Sequence, residues 1–298
     1  MIAHALVAAS FGWFGTRNVG AGRFDVVIDG NNWFPAGAAP SVRHNGKLYS
    51  AADKSLALLH TTSARGADAL GPFNSTLWEW ALAHEKTTFY VTELRAYADA
   101  LLFKQSFPVG TSDSATGDKN ALVSTFPSFA LPSDDLSGVG FLSYQGPMVG
   151  FNYKSGPWGA SSASKIGGGI SGSGPLVVSG PSSSVVLSAA SNFMAASQNV
   201  SSTNDLSYGV MGNVSSIPKG YTIEFLLSYT SEGASFRRAM MEWGDKLLSR
   251  AGGKRREASW ASDLTLQRLG YSTDNGAYYY YLTEVGKDYE QTMLDVGR

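Results

Sequence analysis

The stretch Leu264-Thr-Leu-Gln-Arg-Leu-Gly-Tyr-Ser-Thr-Asp-Asn-Gly-Ala-Tyr-Tyr-Tyr-Tyr281 decides which fold the C-terminal part of the chain adopts. Its apolar start predicts a strand, and the glycine and small polar residues that follow predict a turn. Beyond Gly286, the segment from Lys287 to Val296 carries apolar residues at the spacing of one helical face. Strand, polar turn and helix together predict one β/α unit, the building block of a barrel or a doubly wound sheet.

The Asn275-Gly276 pair keeps a second interpretation of this stretch open. Asn-Gly between two strand-like runs is the strongest short-range signal of a β-hairpin, because both turn residues need a positive φ. A β/α barrel, in contrast, needs eight units in roughly 250 residues. Only the residues from Tyr271 to Arg298 follow the predicted strand. If the β/α interpretation is right, we expect the barrel in this chain to be incomplete.

Strands predominate in the sequence before this stretch. The runs Phe24–Asp29, Ala100–Phe107 and Tyr221–Tyr229 are strand-like, and alternate residues of the last run fall on one face at period two. Glycine is frequent, at 34 residues, and 12% of the residues are aromatic, as expected of strands joined by many turns. The sequence therefore predicts a mainly β fold with a large antiparallel β-sandwich.

One helix is predicted between the strands and the C-terminal stretch. Phe236, Met240, Trp243 and Leu247 recur at helical spacing, Ser235 is placed to cap the helix, and a Gly252-Gly253 pair follows it. Strands followed by helical material indicate an α+β protein or two domains. We expect a β-sandwich over residues 1–234, a linking helix and connector over 235–261, and the first β/α unit of an incomplete TIM barrel over 262–298.

Composition excludes several classes of function. A net charge of −1, with 16% charged residues, argues against a nucleic-acid or anionic-membrane surface. The sequence contains no cysteine, which excludes disulfides and thiolate metal sites, and its four histidines are isolated from one another. No apolar run approaches the roughly 20 residues of a membrane span. We therefore expect no cofactor, no bound metal and no nucleic-acid partner.

The cellular compartment stays unknown from the sequence. The apolar N-terminus and the three sequons at Asn74, Asn199 and Asn213 are compatible with secretion. However, the N-terminus lacks the positive charge that a signal peptide carries.

Several segments after Leu122 resemble one enzyme family in order and spacing. They are Phe126-Pro-Ser-Phe129, Gly138-Val-Gly-Phe-Leu142, Asn192-Phe-Met-Ala-Ala-Ser197, Ser216-Ile-Pro-Lys-Gly-Tyr221 and Glu242-Trp-Gly-Asp-Lys-Leu-Leu248. These segments are similar to the front half of raffinose synthases, seed imbibition proteins and alkaline α-galactosidases, in the glycoside hydrolase family 36 group. The resemblance implies that they end an N-terminal β-sandwich and form the helix leading into a catalytic TIM barrel.

The resemblance also implies substrate-binding residues. The segment from Gly270 to Tyr278 takes the place of the family's first barrel strand. The family's aspartate that holds sugar hydroxyls aligns with Asn275, Asp274 is its chemically equivalent neighbour, and Tyr271 replaces a tryptophan. The alternative is that Asp274, Asn275 and Gly276 are only turn residues. The family's two catalytic aspartates lie on later barrel strands, so we assign no catalytic residue and expect this chain alone to be inactive.

Two functions from different classes follow from the sequence. The first is the ancillary β-sandwich portion of a carbohydrate-active enzyme, an α-galactosidase-like or raffinose synthase-like hydrolase or glycosyl-transferring enzyme. The second is a stand-alone, non-catalytic carbohydrate-binding or interaction domain. A carbohydrate, either an oligosaccharide or a glycoside, is the expected partner in both.

Overall fold

The computed structural model describes residues 14–20, 22–144, 153–169, 174–231, 235–253, 260–268, 278 and 281–298. The chain divides into two compact units, Met1–Gly252 and Gly253–Arg298. The apolar N-terminal residues 1–13 and the turn predicted at Asp274–Gly276 lie outside the described residues. Among the described residues, no helix has the length and apolar character of a membrane span.

The described part of the first unit consists mainly of strands. They are β1 (Phe14–Gly20), β2 (Arg23–Ile28), β3 (Asn31–Phe34), β4 (Ser41–His44), β5 (Lys47–Ser50), β6 (Leu56–Asp68), β7 (Gly71–Leu82), β8 (Tyr90–Ala96), β9 (Ala100–Phe107), β10 (Ser124–Thr125), β11 (Ser128–Ala130), β12 (Gly140–Tyr144), β13 (Tyr153–Pro157), β14 (Leu176–Ser179), β15 (Ser184–Ala189), β16 (Ala196–Val200), β17 (Asp205–Val210) and β18 (Tyr221–Thr230). A short 3-10 helix, Ala160–Lys165, follows β13.

One large antiparallel sheet forms the main layer of the first unit. It has nine strands in the order β13-β12-β14-β15-β18-β9-β8-β7-β6. Three smaller antiparallel sheets, β1-β2-β3, β10-β4-β5 and β11-β17-β16, each have three strands. This arrangement confirms the prediction of a mainly β fold with a large antiparallel sandwich.

Aromatic side chains fill the core between the large sheet and the smaller ones. Phe103 on β9 stacks on Phe24 of β2 with ring centroids 5.6 Å apart, and it meets Phe126 and Phe129 edge to face. All four rings are buried, at 4% exposure or less. Aromatic rings bury the largest apolar areas of any side chains, so these contacts dominate the attraction between the layers.

A buried amide also joins the layers. Gln105, on the inner face of β9, is fully buried, and its Nε2 atom donates to the carbonyl oxygens of Phe126 and Tyr208. Its Oε1 atom accepts a hydrogen bond from the Ser124 hydroxyl at 2.6 Å, and that hydroxyl in turn accepts from the Val210 amide. Glutamine supplies both donors and an acceptor, so it satisfies carbonyl and hydroxyl groups that burial would otherwise leave unpaired.

The linking helix, α1 (Phe236–Arg250), lies where the apolar spacing predicted it. The Ser235 side chain caps it by accepting from the Arg238 amide. Ala239 is fully buried against Val177 and Val186 of the large sheet. Trp243 and Leu247 pack on a second cluster that contains Leu102 and Leu226. The helix therefore covers part of the outer face of the large sheet, and it belongs to the first compact unit.

The helices α2 (Leu264–Gln267) and α3 (Tyr289–Val296) lie within the described residues of the second unit. Helix α3 confirms the helix predicted between Lys287 and Val296, and a capping box formed by Asp288 and Gln291 explains where it begins. The strand predicted from Leu264 is wrong over Leu264–Gln267. The Asp263 side chain accepts a hydrogen bond from the Thr265 amide and caps a helical turn there.

Replacing Gln105 with alanine tests the contribution of the buried amide. We expect the free energy of unfolding to fall by about 2–4 kcal/mol, because two carbonyl oxygens and one hydroxyl lose a buried partner and a cavity forms. Urea unfolding followed by tryptophan fluorescence measures this change. Gln267→Ala, at an exposed glutamine, is the control and should change the free energy little. An equally small change for Gln105→Ala would contradict the role given to this side chain.

Candidate functional site

The structure does not place the residues that the sequence singled out for sugar binding. Tyr271, Asp274 and Asn275 all lie outside the described residues. Their role therefore stays a prediction. In the described part of the chain, no group of three or more His, Cys, Asp or Glu side chains is arranged to hold a metal ion.

The densest group of interacting charges in the described residues lies on the outer face of the large sheet. We call it the charged cluster, and it consists of Asp68, Glu93, Arg95, Glu224 and Arg250. Four of these residues belong to strands β6, β8 and β18, and Arg250 is the last residue of α1. The register places Glu93 and Glu224 on either side of Lys104 in β9.

Arginine side chains connect the carboxylates of the charged cluster. Arg95 donates to both oxygens of Glu93, at 2.8 and 3.2 Å, and to Asp68 Oδ2 at 3.2 Å. Its guanidinium group also lies 4.8 Å from the centre of the Phe73 ring. Arg250 pairs with Glu224 and lies 3.8 Å from Asp68 Oδ2. Each carboxylate is therefore held by at least one arginine, which is the geometry of a structural ion-pair network.

The electrostatics of Asp68 agree with this structural role. Partial burial alone would raise the pKa of Asp68. This effect is outweighed by hydrogen bonds from the Tyr97 hydroxyl and the Leu70 amide, by the charge of Arg250 and by the hydrogen bond from Arg95. Together they lower the pKa of Asp68. The Tyr97 hydroxyl donates to Asp68 Oδ2 at 2.7 Å. Burial and this bond to Asp68 raise the pKa of Tyr97. Asp68 is thus kept ionised and Tyr97 neutral.

The separation of Glu93 and Glu224 can be compared with that of the two catalytic carboxylates of a glycosidase. One strand separates them, which puts their backbones roughly 10 Å apart, near the carboxyl spacing of inverting enzymes. Each of the two carboxylates, however, pairs with an arginine, Glu93 with Arg95 and Glu224 with Arg250. We therefore assign the charged cluster to the attachment of α1.

Further polar contacts attach α1 to the sheet along its length. Thr230 donates to Glu242 Oε2 at 2.7 Å, and Trp243 Nε1 donates to the Ser188 hydroxyl at 2.8 Å. Lys246 pairs with Asp99 at 2.9 Å, and Arg250 completes the series in the charged cluster. These contacts hold α1 on the large sheet from Glu242 to Arg250. Sequence reasoning missed these contacts because the partners lie on strands far from the helix in sequence.

Exposed apolar side chains are frequent in the second unit. Val285 is 98% exposed and Leu264 is 68% exposed. The large apolar residues that are exposed in the described part of this unit are Trp260, Leu264, Leu266, Tyr281, Leu282, Val285, Leu294 and Val296. Single exposed apolar residues are normal, but eight of them lie within the described residues of this short unit.

Comparison with known proteins supports the fold. No family model matches the sequence, and no curated protein matches it. The α-N-acetylgalactosaminidase NagBb from Bifidobacterium bifidum is similar in structure, with a TM-score of 0.50 and 12% sequence identity. The match covers 86% of this chain and 40% of that chain. The values are the same for the quadruple mutant of NagBb and for its Gal-NHAc-DNJ complex. A glycoside hydrolase family 97 enzyme from Pseudoalteromonas sp. strain K8 has a TM-score of 0.47 and 8% identity over 74% of this chain and 34% of that chain.

The similarity to NagBb indicates a glycoside hydrolase-like fold. At 12% identity it does not identify family 36 specifically. The chain spans 40% of the length of this structure. The resemblance to a glycoside hydrolase is therefore confirmed at the level of the fold.

The lowered pKa of Asp68 predicts a change of stability with pH. The unfolded carboxyl titrates near 3.9, so the stabilisation is complete above about pH 4 and is lost as the pH falls through the lower pKa of the folded state. We expect Asp68→Asn to reduce stability at neutral pH and to make its decline in acid less steep. Urea unfolding between neutral pH and pH 2 measures both effects. Asp134→Asn, at an exposed aspartate, is the control, and a wild-type acid decline in Asp68→Asn would contradict the assignment.

Proposed function

We propose that this chain is the β-sandwich portion of a carbohydrate-active enzyme, together with the start of a second domain. The complete protein hydrolyses or transfers α-linked galactosyl or related glycosyl groups. The similarity to NagBb, an α-N-acetylgalactosaminidase, supports this setting, since this chain spans 40% of that enzyme. The sequence resemblance to raffinose synthases and alkaline α-galactosidases supports the same class of substrate.

The observation that carries the proposal is the apolar surface of the second unit. Leu264, Leu266 and Val285 are more than half exposed, as are Tyr281 and Leu282. In a β/α barrel, neighbouring strands and helices cover side chains of this kind. We infer that further β/α units of the same polypeptide cover them in the complete enzyme.

Within that enzyme, the first unit has a supporting role. Its sandwich holds α1 in place through Trp243, Lys246 and Arg250, and α1 leads directly into the second unit. The family resemblance supports a further part of the proposal, that the polar groups of Tyr271, Asp274 and Asn275 hold sugar hydroxyls, since barrel enzymes place ligand contacts at the ends of their strands.

The alternative is a stand-alone carbohydrate-binding or interaction domain without catalysis. It is favoured by the compactness of the first unit, which contains the hydrophobic core and the capped helix α1. In this alternative, the exposed apolar residues of the second unit bind another molecule. The two functions differ in the length of the native polypeptide.

The length of the native protein tests the proposal. Antibodies against the first unit should capture from the source tissue a polypeptide much longer than 298 residues, and the captured protein should release galactose from an α-galactoside. Intact-mass spectrometry gives the length, and pre-incubation of the antibodies with the recombinant chain is the control. A native protein of 298 residues would contradict the proposal and favour the stand-alone domain.

The recombinant chain should itself be inactive. We expect no release of p-nitrophenol from p-nitrophenyl α-galactoside, because a retaining mechanism needs two carboxyl groups about 5 Å apart, and the family resemblance assigns both to later barrel strands. A colorimetric assay measures the release, and a commercial α-galactosidase serves as the positive control. Turnover that survives a further purification step, which removes contaminating glycosidases, would show that the catalytic residues are in this chain.

A further inference from the structure

An open groove lies on the outer face of the large sheet, beside the first turn of α1. Its volume is about 380 Å³, at the lower end of the range for small-ligand sites. We call it the edge groove, because β13 is the outermost strand of the sheet in the described residues. Its lining includes Gly140, Leu142, Ser155, Val177, Ser179 and Phe236.

Strand register brings these residues together. Leu142 of β12 is opposite Ser155 of β13 and Val177 of β14, so the three side chains share one face of the sheet. Gly140 is opposite Ser179, and its lack of a side chain leaves the floor of the groove open. The Phe236 ring, at the start of α1, forms a wall and is 37% exposed.

Two tyrosines extend this face of the sheet. Tyr144 and Tyr153 are opposite each other, two residues along their strands from Leu142 and Ser155, so their side chains lie on the face that carries the groove. Tyr153 is 61% exposed. The two tyrosine rings therefore lie at one end of the edge groove, next to its lining but not part of it.

The chemistry of this surface matches that of a sugar ring. A pyranose has an apolar face of C–H groups that packs on aromatic and aliphatic side chains, and a rim of hydroxyls that both donate and accept hydrogen bonds. The groove offers Leu142 and Val177 as an apolar floor and the hydroxyls of Ser155 and Ser179 at its sides. The backbone groups along the outer edge of β13, which is the last strand of the sheet among the described residues, supply further hydrogen-bonding partners.

The uncharged lining of the edge groove favours a neutral ligand over an ionic one. None of the residues that line the edge groove is charged. An ionic ligand would lose hydration there without gaining a counter-charge, whereas a neutral ligand bears no such cost. A purely apolar protein segment would leave the hydroxyls of Ser155 and Ser179 facing apolar groups, which is unfavourable.

We propose that the edge groove, with Tyr153 beside it, is a binding site for a neutral glycan. It is formed by residues of the first unit, whereas Tyr271, Asp274 and Asn275 belong to the second unit. It binds without catalysis and anchors an oligosaccharide to the sandwich. The choice of a glycan as the ligand rests on the proposed function, which is carbohydrate-active. The proposal of a binding site in the edge groove does not require that the native chain is longer than 298 residues.

Isothermal titration calorimetry of the full chain tests this site with raffinose and maltotriose as probes. We expect at least one of them to bind. Tyr153→Ala should weaken that binding by about fivefold to tenfold, the loss expected for one aromatic contact. Ser155→Val, which keeps a residue suited to a strand but removes the hydroxyl, should also weaken it. Phe193→Ala is the matched control, since Phe193 is 58% exposed but lies outside the groove, and it should bind like the wild type.

Two results would overturn the site. The first is that neither sugar binds the wild-type chain. The second is that a sugar binds but Tyr153→Ala and Ser155→Val leave its affinity unchanged while circular dichroism shows them folded. If Ser155→Val fails to fold, Tyr153→Ala alone decides, because Tyr153 is largely exposed. Either failure leaves the length of the native protein unaffected, so it is distinguishable from a failure of the proposed function.

Discussion

The buried amide of Gln105 is the constraint on which the rest of the first unit depends. Aromatic packing draws the layers together, but it is tolerant of small shifts between sheets. The hydrogen bonds from Gln105 to Phe126 and Tyr208, and from Ser124 to Gln105, form only at one relative position of β9, β10 and β17. They therefore fix the register of the two layers. That register also determines the geometry of the outer face of the large sheet. This face carries both the charged cluster and the edge groove.

The outer face of the sheet then divides into two parts. Near the centre of the sheet, α1 packs on apolar residues. Beside them, Arg95 and Arg250 pair with the neighbouring carboxylates. At the β13 edge, the face is uncharged and open beside Phe236. Helix α1 thus serves both parts, because its end is fixed in the charged cluster and its start forms the wall of the groove. The same helix leads into the second unit, whose apolar surface supports the proposal that more of a barrel follows.

Local patterns in the sequence predicted part of this structure. The strand Tyr221–Thr230 and the helix α1 follow from periods of two and 3.6 residues, which need no knowledge of distant partners. The strand predicted over Leu264–Gln267 is wrong, because the cap formed by the Asp263 side chain outweighs the alternation of Leu264 and Leu266. The charged cluster and the edge groove could not be predicted, because strand register joins residues such as Glu224 and Arg250 that no local pattern connects. The site residues of the second unit stay a prediction from resemblance.

We infer that the first unit folds independently and propose that the second unit begins another domain. A chain that lacks Gly253–Arg298 tests this inference when its thermal unfolding is followed by circular dichroism and its self-association by sedimentation velocity. We predict that the shortened chain keeps a single cooperative transition close to that of the full chain and self-associates less, because Val285, Leu264 and their exposed neighbours are gone. Loss of the transition on deletion would contradict the claim, since the second unit would then be part of the sandwich.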